Sequence, residues 1–132
     1  MEIFVKENVL QHEYDVYTYV QKHVHGINTP RIVSYDAVTK KLEMEKIPGM
    51  SLSDFYGEKA ENIPDGVFDE VRKIVATLRA SRVTYPDITG YNFIRSDADD
   101  KLYVIDFEHA FVIDPFVDAF LAGERSWNSE FA

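Results

Sequence analysis

Three side chains that carry oxygen ligands stand near the apolar segments of the second half of the chain. Asp87 and Asn92 are five residues apart in VTYPDITGYNFI, and Asp106 follows the apolar run in KLYVID. Carboxylate and amide oxygens are hard ligands of the kind that hold Mg²⁺ together with the phosphates of a substrate. A lone aspartate in such a sequence is more often a turn residue. The magnesium interpretation therefore depends on the three side chains converging in the fold.

A predicted β-hairpin would make them converge. NFI and YVI are short apolar runs, and SDADD between them has the composition of a turn. Antiparallel pairing of the two runs would place Asn92, at the start of the first strand, beside Asp106, at the end of the second. Asp87 would lie on the loop that enters the hairpin. The sequence thus predicts a site for magnesium and phosphate at one end of this hairpin.

The first elements of the chain should position two further charged residues. EIFVKEN alternates as a strand does, with Phe4 and Lys6 on one face. A helix is predicted over about 11–23, in which Glu13 lies at the edge of an apolar stripe and faces inward. Lys6 and Glu13 are candidates for a functional ion pair. The alternative is an ordinary surface pair, which contributes about 0–1 kcal/mol.

The remaining elements follow from periodicity and breaker residues. RIVSYDAV and KLEMEKI are predicted strands joined at TKK, and PGMSL is expected to interrupt regular structure. An amphipathic helix is predicted over about 65–80 and a last short helix over PFVDAFLAG. Strands precede a mainly helical half, which is an α+β pattern.

Composition limits the classes of function. The chain has 132 residues with a net charge of -9, so we expect one domain and no nucleic-acid partner, since polyanions need clustered basic residues. It has no cysteine, which excludes disulfides and thiolate metal sites. No apolar run approaches the ~20 residues of a membrane span. We expect a soluble intracellular protein, in the cytoplasm, with no membrane partner.

The motifs around the predicted site resemble those of protein kinases. YPDITGYN has the spacing of the kinase catalytic loop HRDxxxxN, and VIDFE resembles the kinase DFG region. The resemblance implies that Asp87 accepts the proton of the acceptor hydroxyl and that Asn92 and Asp106 hold Mg²⁺. FVK resembles the strand end that carries the phosphate-binding lysine. By the same resemblance, Lys6 would contact the α and β phosphates of ATP and pair with Glu13.

The resemblance extends to the hinge between lobes and to the whole fold. LEMEKIPGMSL resembles the hinge, which implies that Glu45, Lys46 and Ile47 contact the adenine. The implied fold is α+β and protein-kinase-like, a single minimal domain over residues 1–132. It would have a reduced N-lobe, with a short antiparallel sheet and one helix, over about 1–47, and an abbreviated helical C-lobe over about 48–132.

Several positions depart from the kinase pattern. Only five residues precede Lys6, so the glycine-rich loop is expected to be absent. Tyr85 stands in place of the catalytic-loop histidine, Glu108 in place of the DFG glycine, and Thr89 in place of the lysine of Ser/Thr kinases. The tail IDFEHAFVIDPFVDAF resembles instead the compact segment of aminoglycoside and choline phosphotransferases, which act on small molecules.

Two functions are compatible with this pattern. The first is an ATP- and Mg²⁺-dependent phosphotransferase that acts on a hydroxyl of a protein or a small molecule, with the acidic composition favouring a cationic acceptor. The second is a pseudokinase that binds a nucleotide or a partner protein without catalysis. An incomplete N-lobe would expose apolar surface along the first strand and the following helix, which a homodimer or a partner chain would cover.

Overall fold

The structure of the protein, a computed structural model, describes residues 2–112 and residue 123. Helices and small antiparallel sheets alternate in these residues, which confirms the α+β class. Apart from Gly123, the predicted helix over PFVDAFLAG falls outside the described residues. The strands are β1 Ile3–Lys6, β2 Ile32–Asp36, β3 Lys41–Glu45, β4 Gly49–Ser51, β5 Val83–Thr84, β6 Phe93–Ser96, β7 Leu102–Val104 and β8 Phe111–Val112, and the helices are α1 Gln11–His23, α2 Leu52–Tyr56 and α3 Asp65–Ala80.

The first sheet has the order β1-β3-β2 and is antiparallel throughout. The predicted strand pair joined at TKK is therefore confirmed. Lys6, the last residue of β1, lies opposite Leu42 of β3. The apolar face of α1 belongs to the same buried core as β3, through Val16 and Val20 on the helix and Leu42 and Met44 on the strand. Packing of α1 against this sheet brings the helix face that carries Glu13 toward the end of β1.

The second sheet has the order β4-β6-β7 and contains the predicted hairpin. In that hairpin Phe93 pairs with Val104 and Arg95 with Leu102, which places the turn at SDADD, as expected.

The expectation that PGMSL interrupts regular structure is wrong. Gly49–Ser51 forms β4, which pairs with β6, and α2 begins directly afterwards. Gly49 has a φ of +149°, and a side chain there would overlap the carbonyl oxygen of Arg95, so glycine permits the close approach of these strands. Ser51 then caps α2 by accepting a hydrogen bond of 3.1 Å from the Asp54 N–H. The breaker residues have structural roles inside a strand and at a helix start.

The predicted helix over 65–80 is confirmed as α3. From α3 the chain continues through β5 to the loop that carries Asp87. Its inward stripe includes the buried residues Val71, Ile74 and Leu78. The short β5 follows α3 and pairs with β8. No helix in the described part of the chain is long and apolar enough to cross a membrane.

The predicted apolar surface is exposed on the first strand and buried on the helix. Ile3, Phe4 and Val5 of β1 are each more than two-fifths exposed. On α1, in contrast, Val16 and Val20 are buried in the core. The expectation of an exposed helix face is therefore wrong, because the first sheet already covers it.

Replacement of Leu78 by alanine tests the core below the site loop, which we define as residues 85–92 between β5 and β6. Leu78 is fully buried, whereas Leu10 is 60% exposed, so the two positions allow the same substitution in opposite environments. Leu78→Ala should lower the free energy of unfolding by about 2–5 kcal/mol, since it removes buried methyl groups and leaves a cavity. Leu10→Ala should change it by no more than about 0.5 kcal/mol. Urea denaturation measures both, and equal losses would contradict this packing.

Candidate functional site

A cavity of ≈ 380 Å³ lies between the first sheet and the hairpin. Lys6 and Asp106 line it together with the segment from Glu45 to Ile47. The sequence interpretation assigned these five residues to one nucleotide, and the structure brings them to one pocket. Its volume is within the range of small-molecule sites, about 300–1,000 Å³. The other walls are mainly apolar and come from Phe4, Tyr17, Pro30, Met44, Gly49, Ile94 and Ile105.

Lys6 forms two ion pairs at one end of this cavity. Its Nζ lies 2.7 Å from Oε2 of Glu13 and 3.3 Å from Oδ1 of Asp106. Glu13 is only 3% exposed, so the pair is not the ordinary surface ion pair that was the alternative. A buried carboxylate requires a partner of this kind to offset its lost hydration. The predicted Lys6–Glu13 pair is therefore formed and partly buried.

Burial and neighbouring charges shift the pKa values of both partners. Burial opposes the charged form of Lys6, but the hydrogen bond and charge of Glu13, with those of Asp106, outweigh it and raise the pKa of Lys6. Burial raises the pKa of Glu13, against the opposing effect of Lys6, and Asp106 and Glu108 add to the rise. Lys6 therefore remains a cation, and its ammonium group stabilises the negative charges of Glu13 and Asp106.

The peptide group between Ile105 and Asp106 is bound on both sides by buried tyrosines. The Tyr85 hydroxyl donates to the carbonyl of Ile105 at 2.6 Å, and the Asp106 N–H donates to the Tyr17 hydroxyl at 3.0 Å. Burial raises the pKa of both phenols, so the hydroxyl groups stay protonated. The ring of Phe107 packs edge-on against both tyrosine rings. These contacts fix the end of the hairpin against α1 and the site loop.

Asp106 adopts a backbone conformation that favours glycine. Its φ is +65°, in the left-handed region. Aspartate tolerates this region better than most residues, but it persists only where surrounding contacts hold it. The hydrogen bond from the Asp106 N–H to Tyr17 is one such contact, and the Glu108 N–H donates to Oδ1 of Asp106 at 3.2 Å. Together these bonds direct the carboxylate toward Lys6.

Asn92 links the loop of Asp87 to the hairpin. Its Nδ2 donates to the carbonyl of Asp87 at 2.9 Å, and its own carbonyl accepts from the Ile105 N–H at 2.9 Å. The side chain of Asn92 also hydrogen-bonds with Tyr85, and its Oδ1 is the only atom of the amide that could bind a cation. Asn92 is thus connected to Asp87 on one side and to Ile105, the residue before Asp106, on the other.

The carboxylate of Asp87 has a partner that the sequence interpretation missed. The Nδ1 atom of His109 lies 2.7 Å from Oδ2 of Asp87. The hydrogen bond and charge of Asp87 raise the pKa of the His109 imidazole above its ordinary value of 6.5. A raised histidine pKa means that the pair stabilises the folded chain fully below pH 6.5 and that this contribution is lost as the pH rises through the raised pKa.

The sequence interpretation missed Tyr17, Tyr85 and His109, and these residues differ in how readily a sequence pattern could have identified them. Tyr17 stands four residues after Glu13, on the same face of α1, so helical spacing could have identified it. Tyr85 was noticed only as a substitution for histidine, and its bond to Ile105 depends on the fold. His109 and Asp87 are 22 residues apart, with no periodic pattern that connects them.

The predicted hinge segment retains one backbone donor for a ligand. The N–H of Glu45 donates to the carbonyl of Arg31 at 2.8 Å, and the N–H of Lys46 donates to the carbonyl of Glu2 at 2.9 Å. The N–H of Ile47 makes no backbone hydrogen bond within the described residues. In this segment Ile47 therefore offers the N–H that a ligand in the cavity could use.

A second cavity, of ≈ 490 Å³, lies between α2, α3 and the site loop. Residues 88–91 line it, but none of the predicted site residues does. Its remaining walls are largely apolar side chains such as Leu52, Phe68 and Val71. The larger cavity is therefore separate from the charged site.

In the described residues, no cluster of three or more histidine, aspartate or glutamate side chains has a metal-binding arrangement. A magnesium site here would depend instead on Asp106 and the amide oxygen of Asn92, completed by water and substrate phosphates.

Comparison with known proteins found no family model that matches the chain and no curated protein that matches it.

Replacement of Tyr85 by phenylalanine tests the bond that holds the hairpin end. The substitution removes only the hydroxyl group and leaves the carbonyl of Ile105 without its donor. Tyr85→Phe should therefore lower the free energy of unfolding by about 1–3 kcal/mol. Tyr91→Phe is the matched control, because the Tyr91 hydroxyl bonds to Glu58 at the exposed surface. Its effect should stay within about 0.5 kcal/mol. Equal effects in urea denaturation would contradict a structural role for the Tyr85 hydroxyl.

Proposed function

We propose that this chain is an ATP- and Mg²⁺-dependent phosphotransferase of the protein-kinase-like superfamily. It would transfer the γ-phosphate of ATP to a hydroxyl group of a protein or a small-molecule acceptor. The observation that carries the proposal is the position of Lys6, paired at 2.7 Å with Glu13 and at 3.3 Å with Asp106 on the wall of a ligand-sized cavity. Asp106 lies 100 residues after Lys6 in the sequence, and their meeting supports the interpretation of these residues as kinase motifs.

The cavity suits a nucleotide in volume and in the chemistry of its walls. Its apolar walls, which include Met44, Ile94 and Ile105, match the faces of an adenine ring. The free N–H of Ile47 would donate to the edge of that ring. Lys6, held in place by Glu13, would contact the α and β phosphates. The nucleotide would thus extend from the 45–47 segment toward Asp106.

Two residues fit a magnesium ion in such a complex. Asp106 offers a carboxylate, and Asn92 offers the Oδ1 oxygen that its hydrogen bond to Asp87 leaves available. Magnesium is usually bound by one or two protein oxygens plus water and phosphate, so this small ligand set is sufficient. When bound, the ion would neutralise charge on the phosphates and orient them.

Asp87 would act on the acceptor side of the site. It is hydrogen-bonded to Asn92, which is bonded in turn to Ile105 beside Asp106, so the fold would fix its distance from phosphates bound near Asp106. A carboxylate there orients the hydroxyl group, directly or through a neighbouring side chain, for in-line attack on the γ-phosphorus. The role is one of positioning, which is the main contribution of proteins to phosphoryl transfer.

One observation favours the second candidate function, a pseudokinase. The Asp87 carboxylate is already hydrogen-bonded to His109, so an acceptor hydroxyl meets an occupied group. A protein of this kind would bind the nucleotide and signal through its conformation. The exposed apolar residues of β1 would then contact a partner chain or a second copy of the protein.

Nucleotide binding distinguishes the proposed site from a structural ion-pair cluster. Asp106→Asn should weaken Mg²⁺-dependent ATP binding at least about tenfold, or about 1.4 kcal/mol, because it removes the charged metal ligand. The control is Asp97→Asn, which removes an exposed carboxylate from the same hairpin and should leave affinity unchanged. Isothermal titration calorimetry with and without Mg²⁺ measures both. Wild-type protein that binds no ATP would remove both candidate functions that require a nucleotide.

Transfer of phosphate distinguishes the enzyme from the pseudokinase. Asp87→Asn should lower transfer from γ-³²P-labelled ATP by about 100-fold or more, because it removes the carboxylate that orients the groups on the acceptor side of the site. Its ATP affinity should equal that of the wild type. Casein, histone, a basic peptide and aminoglycosides serve as acceptors, with Asp97→Asn as the control. Bound nucleotide without any transfer by the wild type would favour the pseudokinase.

A further inference from the structure

We propose that His109 receives the proton of the acceptor hydroxyl and that Asp87 orients the imidazole for this step. The inference rests on the proposed phosphotransferase function and specifies the acceptor side of that same site. In it Asp87 becomes a positioning residue, and His109 is the catalytic residue that touches the acceptor.

The bond between the two side chains determines which nitrogen is basic. An ionised carboxylate can only accept hydrogen bonds, so Nδ1 of His109 must carry the hydrogen that bonds to Oδ2 of Asp87 at 2.7 Å. In neutral imidazole the other nitrogen, Nε2, then has a free lone pair. No hydrogen-bond partner of Nε2 occurs among the described residues. The pair is therefore arranged as a carboxylate that holds a histidine in the tautomer of a general base.

The imidazole of His109 is more exposed to solvent than the carboxylate of Asp87. The side chain of His109 is 64% exposed, whereas that of Asp87 is 26% exposed. An acceptor that approaches from solvent therefore meets the imidazole more readily than the carboxylate. A general base must come within hydrogen-bond reach of the proton it removes, and His109 is the more accessible of the two groups.

The turn that carries His109 is fixed on both sides. Before it, Phe107 is fully buried among the tyrosine rings of the core. After it, Ala110 is buried, and its carbonyl accepts a hydrogen bond of 2.6 Å from Nε2 of His12 on α1. The Ala110 N–H also donates to the carbonyl of Phe107 at 3.1 Å. The backbone on both sides of His109 is therefore held by the core, and the bond to Asp87 positions the imidazole.

The charges around the imidazole are negative. Asp87 faces it from the site loop, and Asp106 and Glu108 act on it from its own segment. All of them stabilise the imidazolium ion and thus strengthen Nε2 as a proton acceptor. A base with a pKa close to the working pH is the most effective one near neutrality, and a free aspartate is much weaker.

The proposed step transfers a proton to His109 and a phosphoryl group to the acceptor. The O–H bond of the acceptor breaks, and its proton passes to Nε2 of His109. The acceptor oxygen forms a bond to the γ-phosphorus, while the bond from that phosphorus to the bridging oxygen breaks and ADP leaves with the electron pair. The imidazolium then releases its proton to solvent, which restores the base.

Replacement of His109 by glutamine tests the proposal through the pH dependence of transfer. The rate of transfer from γ-³²P-labelled ATP to casein, to kanamycin and to water should rise with pH through a pKa above 6.5 in the wild type. His109→Gln should lose this pH dependence and about 100-fold or more in rate, with ATP affinity unchanged. His25→Gln, at an exposed histidine away from the site, is the control and should behave as the wild type.

Two outcomes would overturn the proposal, and they are distinguishable. If His109→Gln transfers phosphate as fast as the wild type or faster, the imidazole is a bystander or a block on Asp87, while the phosphotransferase function stands. If the wild type itself transfers no phosphate to any acceptor or to water, the proposed function fails and the role of His109 fails with it.

Nuclear magnetic resonance gives a readout that does not depend on activity. The nitrogen shifts of His109 should show a protonated Nδ1 in the neutral ring and a pKa above 6.5. Asp87→Asn keeps an oxygen that can accept the Nδ1 hydrogen but removes the charge, so it should lower that pKa. A neutral ring protonated at Nε2, or a pKa that Asp87→Asn leaves unchanged, would contradict the arrangement.

Discussion

The rest of the site depends on one peptide group, between Ile105 and Asp106. Its carbonyl and its N–H are both bound by tyrosine hydroxyls, from Tyr85 on the site loop and from Tyr17 on α1. Loss of either partner would lower the free energy of unfolding by about 1–3 kcal/mol, because a buried polar atom would be left without a hydrogen bond. The three parts of the chain that meet here are therefore fixed relative to one another. Asp106 can keep its left-handed backbone only because this packing holds it.

The charge arrangement follows from the same constraint. Once Asp106 is fixed, Lys6 is shared between it and the buried Glu13, so two carboxylates face one ammonium group. Glu13 and Asp106 disfavour each other's charge, which contributes to the raised pKa of Glu13. An additional cation near Asp106 would relieve this repulsion, and a polyphosphate accompanied by Mg²⁺ would bring one. The excess of acid at this end of the cavity is thus compatible with a metal-bound nucleotide, whereas it would oppose a bare polyanion.

The sequence predicted the elements better than their connections. Periodicity identified α1 and α3 correctly, because their apolar stripes are long and regular. It failed at PGMSL, where Gly49 and Ser51 have roles that depend on a strand pairing far away in sequence. The meeting of Lys6 with Glu13 was predictable from motif order. The bond between His109 and Asp87 was not, since it depends on how a turn and a loop pack, and no local pattern records that.

The Lys6–Glu13 and Asp87–His109 ion pairs differ in how far the stability of the fold explains them. Glu13 is buried, so Lys6 is required to offset the lost hydration of its carboxylate, and folding alone accounts for that pair. The pair between Asp87 and His109 lies at the surface, where such contacts add little to stability. The surrounding structure nevertheless fixes His109 closely, with Phe107 buried on one side and the carbonyl of Ala110 bound to His12 on the other. Stability therefore accounts for the first pair, whereas the second contributes little to it and is the pair for which we propose a chemical role.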